Sequence, residues 1–193
     1  AEVLSSGLTA FKMTIGGSTA AFDAVNADIK AIDKAIALSP NVYMKIMRAA
    51  DLMVAKRAGR VGVIYSFEDA GMLEGKPENV DHFSALGVRV MQLGYNGVSP
   101  FASGVMAPQP SAGLTDLGRE AIARMNACGV ALDLSHSSAL ATREGIDASR
   151  AGCHATRYSP ARSRMLRAGR PSQVPSSASA KRSAAKAGVA ARA

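Results

Sequence analysis

Residues 115–138, TDLGREAIARMNACGVALDLSHSS, decide the fold. The stretch opens with Thr115, a residue type that caps helices, and continues with apolar residues three and four positions apart as far as Gly129. A short apolar segment, 130–134, follows, and polar residues come directly after it. A helix that leads through one glycine into a buried strand is typical of parallel α/β folds.

The same alternation of strand and helix runs through the chain from residue 8 to residue 148. Strands are predicted at 8–14, 42–47, 61–67, 88–93 and 130–134. Helices are predicted at 22–38, 50–58, 78–86, 115–128 and 139–148. These are five βα units, which require helices outside a closed or a doubly wound sheet. The 193 residues fall short of the roughly 250 that a closed (β/α)8 barrel needs.

Charge divides the chain in two. The net charge is +8, yet residues 151–193 contain nine basic residues and no Asp or Glu, so residues 1–150 are nearly neutral. The basic stretch has too few large apolar side chains to offset the entropy of ordering, which predicts a disordered low-complexity tail at 151–193. Its abrupt Ala, Arg and Ser composition also resembles translation in a shifted reading frame.

The composition also bears on nucleic-acid binding, membrane insertion and disulfide formation. The tail offers an alternative function, nonspecific binding of polyanions such as nucleic acid, but Tyr158 is its only aromatic residue, so no specific nucleic-acid binding is expected. No apolar run approaches the roughly 18 residues of a transmembrane helix. Cys128 and Cys153 form no paired motif and are interpreted as isolated thiols.

Candidate reactive groups follow three predicted strands, where parallel barrels place their chemistry. Glu68 comes after 61–67, Tyr95 after 88–93, and His136 after 130–134. A carboxylate and an imidazole are ligands for Zn²⁺ or Mn²⁺. Asp133, inside its strand, either orients a neighbouring ligand or pairs with a basic group.

The two other histidines do not belong to this set. His82 lies within a predicted helix, far from any strand end, and is interpreted as a surface residue. His154 falls in the irregular segment and is interpreted as solvated.

ALGVRVMQLGYN at 85–96 and GLTDLGREAIARMNACGVALDLSHSS at 113–138 together resemble the membrane dipeptidase, or renal dipeptidase, family. VIYSFEDAGM at 63–72 precedes them at the family's usual distance. The resemblance implies a (β/α)8 barrel with two metal ions, usually zinc, and hydrolysis of dipeptides by a metal-activated water. It implies that Glu68 bridges the two metals, that His136 binds the second, and that Tyr95 takes a substrate-contacting position.

The sequence departs from the family pattern at several ligands. The His-x-Asp pair of the family's first strand has no counterpart, and neither do its second histidine strand and the later Arg and Asp. Residues 1–150 are therefore interpreted as a partial metal-dependent hydrolase barrel of about five βα units, and this chain alone is expected to lack appreciable dipeptidase activity.

Three further expectations concern reaction, assembly and location. Another barrel metallohydrolase, acting on a different amide or a lactone, is the remaining alternative among enzymes. An unclosed barrel leaves open sheet edges, which favour association, including a homo-oligomer. The sequence is of a bacterial, soluble type and leaves its compartment open between cytoplasmic and exported.

Overall fold

Six α-helices and five β-strands alternate along the part of the chain that the structure describes. The structure, a computed structural model, describes residues 2–17 and 20–149. The strands are Ala10–Thr14 (β1), Tyr43–Lys45 (β2), Val61–Phe67 (β3), Val88–Met91 (β4) and Ala131–Leu132 (β5). The helices are Glu2–Ser5 (α1), Phe22–Leu38 (α2), Ala49–Arg57 (α3), Asn79–Ala85 (α4), Asp116–Cys128 (α5) and Ala139–Ala148 (α6). A 3-10 turn, Gly71–Leu73, follows β3.

All five strands belong to one parallel sheet, and β3 is its centre. β1 lies along one side of β3, against residues 62–66. The other side is shared, with β2 against residues 61–63 and β4 against residues 65–67. β5 continues the sheet beyond β4. This is the α/β fold with a parallel sheet that the sequence predicts, and it is consistent with part of a (β/α)8 barrel.

The core lies between the sheet and the helices. β3 is buried on both faces because its neighbours cover it, and Tyr65 and Phe67 are among the largest fully buried side chains. Tyr65 ties the sheet to α2, since its hydroxyl donates a 2.7 Å hydrogen bond to Asp33. Burial, with that hydrogen bond adding to it, raises the pKa of the Tyr65 hydroxyl above its usual range.

β1 is an edge strand among the described residues. Its odd-numbered residues pair with β3, so the backbone groups of Ala10, Lys12 and Thr14 face away from the sheet. On the helix side, the edge borders an apolar groove of about 320 Å³ between β1 and α2. Phe11, Met13, Ile32, Ala35, Ile36, Ser39, Tyr43 and Val63 line it.

The predicted helix from 115 to 128 is confirmed together with both of its caps. The side chain of Thr115 accepts a hydrogen bond from Gly118 N at 3.1 Å. Gly129 closes the helix in the left-handed conformation, with φ of 70°. The last predicted helix, 139–148, has the expected bounds as well.

Four of the five strands are shorter than predicted: β1 begins two residues late, at Ala10, and β2 covers only Tyr43–Lys45 of 42–47. β5 covers only two of the five residues from 130 to 134, because the chain turns as soon as it leaves the sheet, with Ser137 N donating to Leu134 O at 3.2 Å. β4 ends at Met91, two residues early. The sequence also gave no sign of α1 or of the 3-10 turn. The predicted tail at 151–193, with His154 and Cys153, lies outside the described residues.

Candidate functional site

The carboxyl ends of the strands form a small polar cavity of about 240 Å³. Its walls are Thr14, Gly16, Gly17, Glu68, Asp69 and Tyr95. A neighbouring cavity of about 210 Å³ shares Asp69 and Tyr95 and extends along the loop from Asn96 to Ser99. The larger apolar groove beside β1 contains no carboxylate or imidazole, so we place the candidate site at the carboxyl ends.

Glu68 and His136 leave the sheet from different strands. Glu68 follows β3 directly, is exposed, and lines the polar cavity. His136 stands four residues beyond β5, is also exposed, and is not among the residues that line either cavity. Tyr95, half-buried, lines both cavities and stacks on the His136 ring with centroids 4.0 Å apart and planes at 26°. Tyr95 thus connects the cavity to the histidine.

The backbone at His136 adopts a conformation that side chains rarely take. Its φ is 63°, in the left-handed region that costs a non-glycine residue about 1 kcal/mol or more. Two hydrogen bonds hold this turn. Within the turn, Asp133 Oδ1 accepts from Ser135 N at 2.9 Å, and from the neighbouring loop, Val105 N donates to His136 O at 2.7 Å. Strain that its surroundings enforce is a mark of functional positions.

The loop beside this turn is packed closely enough to require glycine. Gly104 pairs with Ser137 in an isolated antiparallel bridge. A Cβ placed on Gly104 would lie 2.0 Å from Tyr95 O, which is far inside contact distance. The loop therefore lies directly on the segment that carries Tyr95 and Asn96.

Glu144, on α6, fixes the far end of the same loop. Its carboxylate accepts from Leu114 N at 2.7 Å and pairs with Arg119 at 3.1 Å. The hydrogen bond from the Leu114 backbone, assisted by Arg119, holds the pKa of Glu144 below its usual value of 4.5.

Gln92 is a site residue that sequence reasoning missed. The residue is 2% exposed. With its amide nitrogen turned toward them, it donates to the backbone oxygens of Glu68 at 2.8 Å and Ser135 at 3.2 Å. It therefore ties the end of β3 to the end of β5 across β4. The available signal was a glutamine in the otherwise apolar run VMQL.

Asp133 pairs with a basic group, which is one of the two roles expected for it. Its side chain is fully buried, and Lys12 Nζ lies 2.9 Å from Oδ2. Because Lys12 belongs to β1 and Asp133 follows β5, the ion pair links the two outermost strands of the described sheet. The other oxygen of Asp133, Oδ1, accepts the hydrogen bond from Ser135 N in the turn that leads to His136.

The predicted metal ligands do not by themselves make up a metal centre. No group of three or more His, Cys, Asp or Glu side chains suited to a metal ion occurs within residues 2–17 and 20–149. Zinc ordinarily takes three or four protein ligands. The structure offers Glu68 and His136 on either side of Tyr95, and this set does not fit a zinc ion unaided.

Comparison with known proteins agrees with the fold and with the motifs. Residues 6–167 match the family described as Membrane dipeptidase (Peptidase family M19). The chain belongs to this family. An uncharacterized dipeptidase from Schizosaccharomyces pombe is 28% identical over 116 residues, which are 58% of this chain and 28% of that protein.

Solved structures extend the likeness to three dimensions. An amidohydrolase from Pseudomonas aeruginosa is 31% identical, with a TM-score of 0.71 over 77% of this chain and 45% of its own. A metallo peptidase from Rhodobacter sphaeroides, solved with a phosphinate mimic of the dipeptide L-Ala-D-Ala, shares the fold with a TM-score of 0.63 and 21% identity, over 72% of this chain and 41% of its own. The chain thus spans less than half the length of the family members it matches.

The remaining predicted residues take places away from this site. His82 lies exposed on α4, as expected, and bonds to Asn26 on α2. Cys128 is a free thiol, and burial with the neighbouring Asp81 raises its pKa. No helix in the described part of the chain has both the length and the apolar character needed to cross a membrane.

Proposed function

We propose that this site belongs to a metal-dependent dipeptidase and that the described residues supply one part of it. The observation that carries the proposal is the joining of the Glu68 and His136 segments through Gln92 and Tyr95 at the carboxyl edge of a family barrel. Membership of the membrane dipeptidase family supports dipeptides as the substrate class.

Zinc is the metal we propose for the complete centre. A carboxylate and an imidazole are ligands that zinc accepts, and the family resemblance assigns Glu68 as the bridging ligand and His136 as a terminal one. When bound, such a metal acidifies a water molecule for attack on the peptide carbonyl. Because the described residues do not fit the metal unaided, we derive no hydrolytic step from them.

Tyr95 is the proposed substrate contact. Its ring forms a wall of the cavity beside Glu68 and covers one face of His136. A dipeptide held in that cavity would lie against an aromatic surface with two carboxylates, Glu68 and Asp69, close by. Its ammonium group is the part that such carboxylates attract.

We further propose that this chain alone does not hydrolyse dipeptides, because a centre with one carboxylate and one imidazole cannot retain zinc at catalytic occupancy. The test is incubation of the purified chain with zinc and Gly-D-Ala, followed by measurement of released amino acids. No hydrolysis above the buffer rate is expected. Chelator-sensitive hydrolysis that His136→Ala abolishes and His82→Ala preserves would overturn this part of the proposal.

A further inference from the structure

The side chain that fixes the His136 ring is Asn96. Asn96 Oδ1 lies 3.0 Å from His136 Nδ1, and the ring is held against Tyr95, the preceding residue in the chain. An amide oxygen has lone pairs and no proton, so it only accepts hydrogen bonds. The contact therefore requires a proton on Nδ1.

We propose that Asn96 is the positioning residue of His136, holding the neutral imidazole in the tautomer that is protonated on Nδ1 and carries a lone pair on Nε2. In a neutral imidazole one ring nitrogen carries the proton and the other accepts, and the hydrogen bond at Nδ1 decides which is which. The inference concerns the ring orientation of a residue of the candidate site, and it rests on the proposed function only in treating His136 as a site residue.

The backbone supports this assignment independently of the ring contact. Met106 N donates to Asn96 O at 2.8 Å, and Val105 N donates to His136 O at 2.7 Å. Adjacent residues of one loop thus hold both partners of the contact. The strained φ of 63° at His136 is then maintained by the same loop that provides the acceptor.

His82 provides a control within the same molecule. It also faces an asparagine oxygen, Asn26 Oδ1, but through its other nitrogen, Nε2, at 2.7 Å. The same reasoning assigns His82 to the opposite tautomer, with the proton on Nε2. A histidine side chain free in water also favours protonation at Nε2, so His136 is the position where the protein must act against the intrinsic preference.

The test is nitrogen-15 spectroscopy of the imidazole rings in the full chain at about pH 8.5, two units above the usual histidine pKa. Long-range proton–nitrogen correlations distinguish the two tautomers by the shift of each ring nitrogen. Spectra of His136→Gln and His82→Gln assign the signals. We expect His136 to be protonated on Nδ1 and His82 on Nε2. A His136 ring protonated on Nε2 would overturn the proposal.

Variants of the two asparagines sharpen the test. Asn96→Leu removes the acceptor, so His136 is expected to shift to the tautomer mixture of a histidine side chain free in water, in which Nε2–H dominates. Asn96→Asp keeps an acceptor oxygen and is expected to retain the Nδ1–H form. Asn26→Leu is the matched control and is expected to leave His136 unchanged. An unchanged His136 tautomer in a folded Asn96→Leu protein would contradict the assignment.

These measurements are independent of dipeptide hydrolysis. A chain without dipeptidase activity still shows the Nδ1–H tautomer if Asn96 positions His136. A chain with activity but with His136 protonated on Nε2 would retain the proposed function and lose this inference.

Discussion

His136 and His82 have nearly the same side-chain environment in two very different places. Each ring bonds to an asparagine oxygen, at 3.0 Å for His136 and 2.7 Å for His82. Each also lies against an aromatic ring, Tyr95 in one case and Phe22 in the other. His136 lies in a turn with left-handed backbone after β5, whereas His82 lies within the regular helix α4.

The difference shows that the backbone distinguishes a candidate site residue from a surface one. At His82, the asparagine contact joins α4 to α2 and adds to helix packing. At His136, the conformation of the turn is held by two hydrogen bonds, one from Ser135 N to the Asp133 side chain and one from Val105 N to His136 O. The protein bears a conformational cost at one histidine and none at the other, which is the pattern expected where geometry serves a function.

The largest effect on stability should come from breaking the ion pair between Lys12 and Asp133, which lies at the start of the His136 turn. Lys12→Met removes the ammonium group that pairs with the fully buried Asp133 carboxylate, and we expect a loss of about 3 kcal/mol in the free energy of unfolding. Urea denaturation measures it. Lys34→Met, at an exposed position of α2, is the control and should change little. Equal stability of the two variants would show that the pair does not support this end of the sheet.

A single methyl group added at Gly104 should disturb the loop that packs against the His136 turn. Gly104→Ala places a methyl group 2.0 Å from Tyr95 O, and we expect about 2 kcal/mol of destabilisation together with loss of the His136 ring contacts. Gly97→Ala, in the same loop, meets nothing within 4 Å and should be nearly neutral. Thermal or urea unfolding of both variants decides the point. A tolerated alanine at residue 104 would mean that the loop is not held against Tyr95.

Glycine substitution should act with opposite signs at the two histidines. At His136, glycine relieves the left-handed strain, so His136→Gly is expected to be about 1 kcal/mol more stable than His136→Ala. At His82, glycine weakens a helix, so His82→Gly is expected to be about 1 kcal/mol less stable than His82→Ala. Comparing glycine with alanine cancels the loss of the imidazole contacts. The same sign at both positions would remove the distinction drawn here.

The smallest effect concerns the far end of the loop and depends on pH. In the folded protein, the pKa of the Glu144 carboxyl is below its ordinary 4.5. The ionised carboxylate therefore stabilises the fold above pH 4.5, and this stabilisation is lost as the pH falls through the lowered pKa. Glu144→Gln should cost about 0.5 kcal/mol at neutral pH, with the difference from the parent protein vanishing in acid. Unfolding at a series of pH values tests this. Glu78→Gln, which makes the same chemical change at an exposed position before α4, is the matched control variant.

Much of this arrangement could be predicted from local patterns. The apolar run at 61–67 and the Thr and Gly caps of 115–128 are local signals, and the corresponding elements form where expected. The positions just beyond the strands could be predicted too, because parallel strands end at one edge.

What could not be predicted depends on contacts between distant residues. The Lys12–Asp133 pair joins residues 121 positions apart, and its partner could only be described as some basic group. The contact of His136 with Asn96 spans 40 positions and depends on how a long loop folds back. The left-handed φ of His136 could not be predicted from its residue type, because only glycine adopts that region freely and histidine does so in a small minority of cases.

Gln92 has a consequence for how such a protein can change over time. Its two hydrogen bonds fix the relative height of the β3 and β5 ends within three neighbouring strands. A single buried amide therefore sets the spacing of two strand ends that carry Glu68 and the His136 turn. Any substitution of residue 92 that removes the amide would release both ends at once, so the two segments can only change position together.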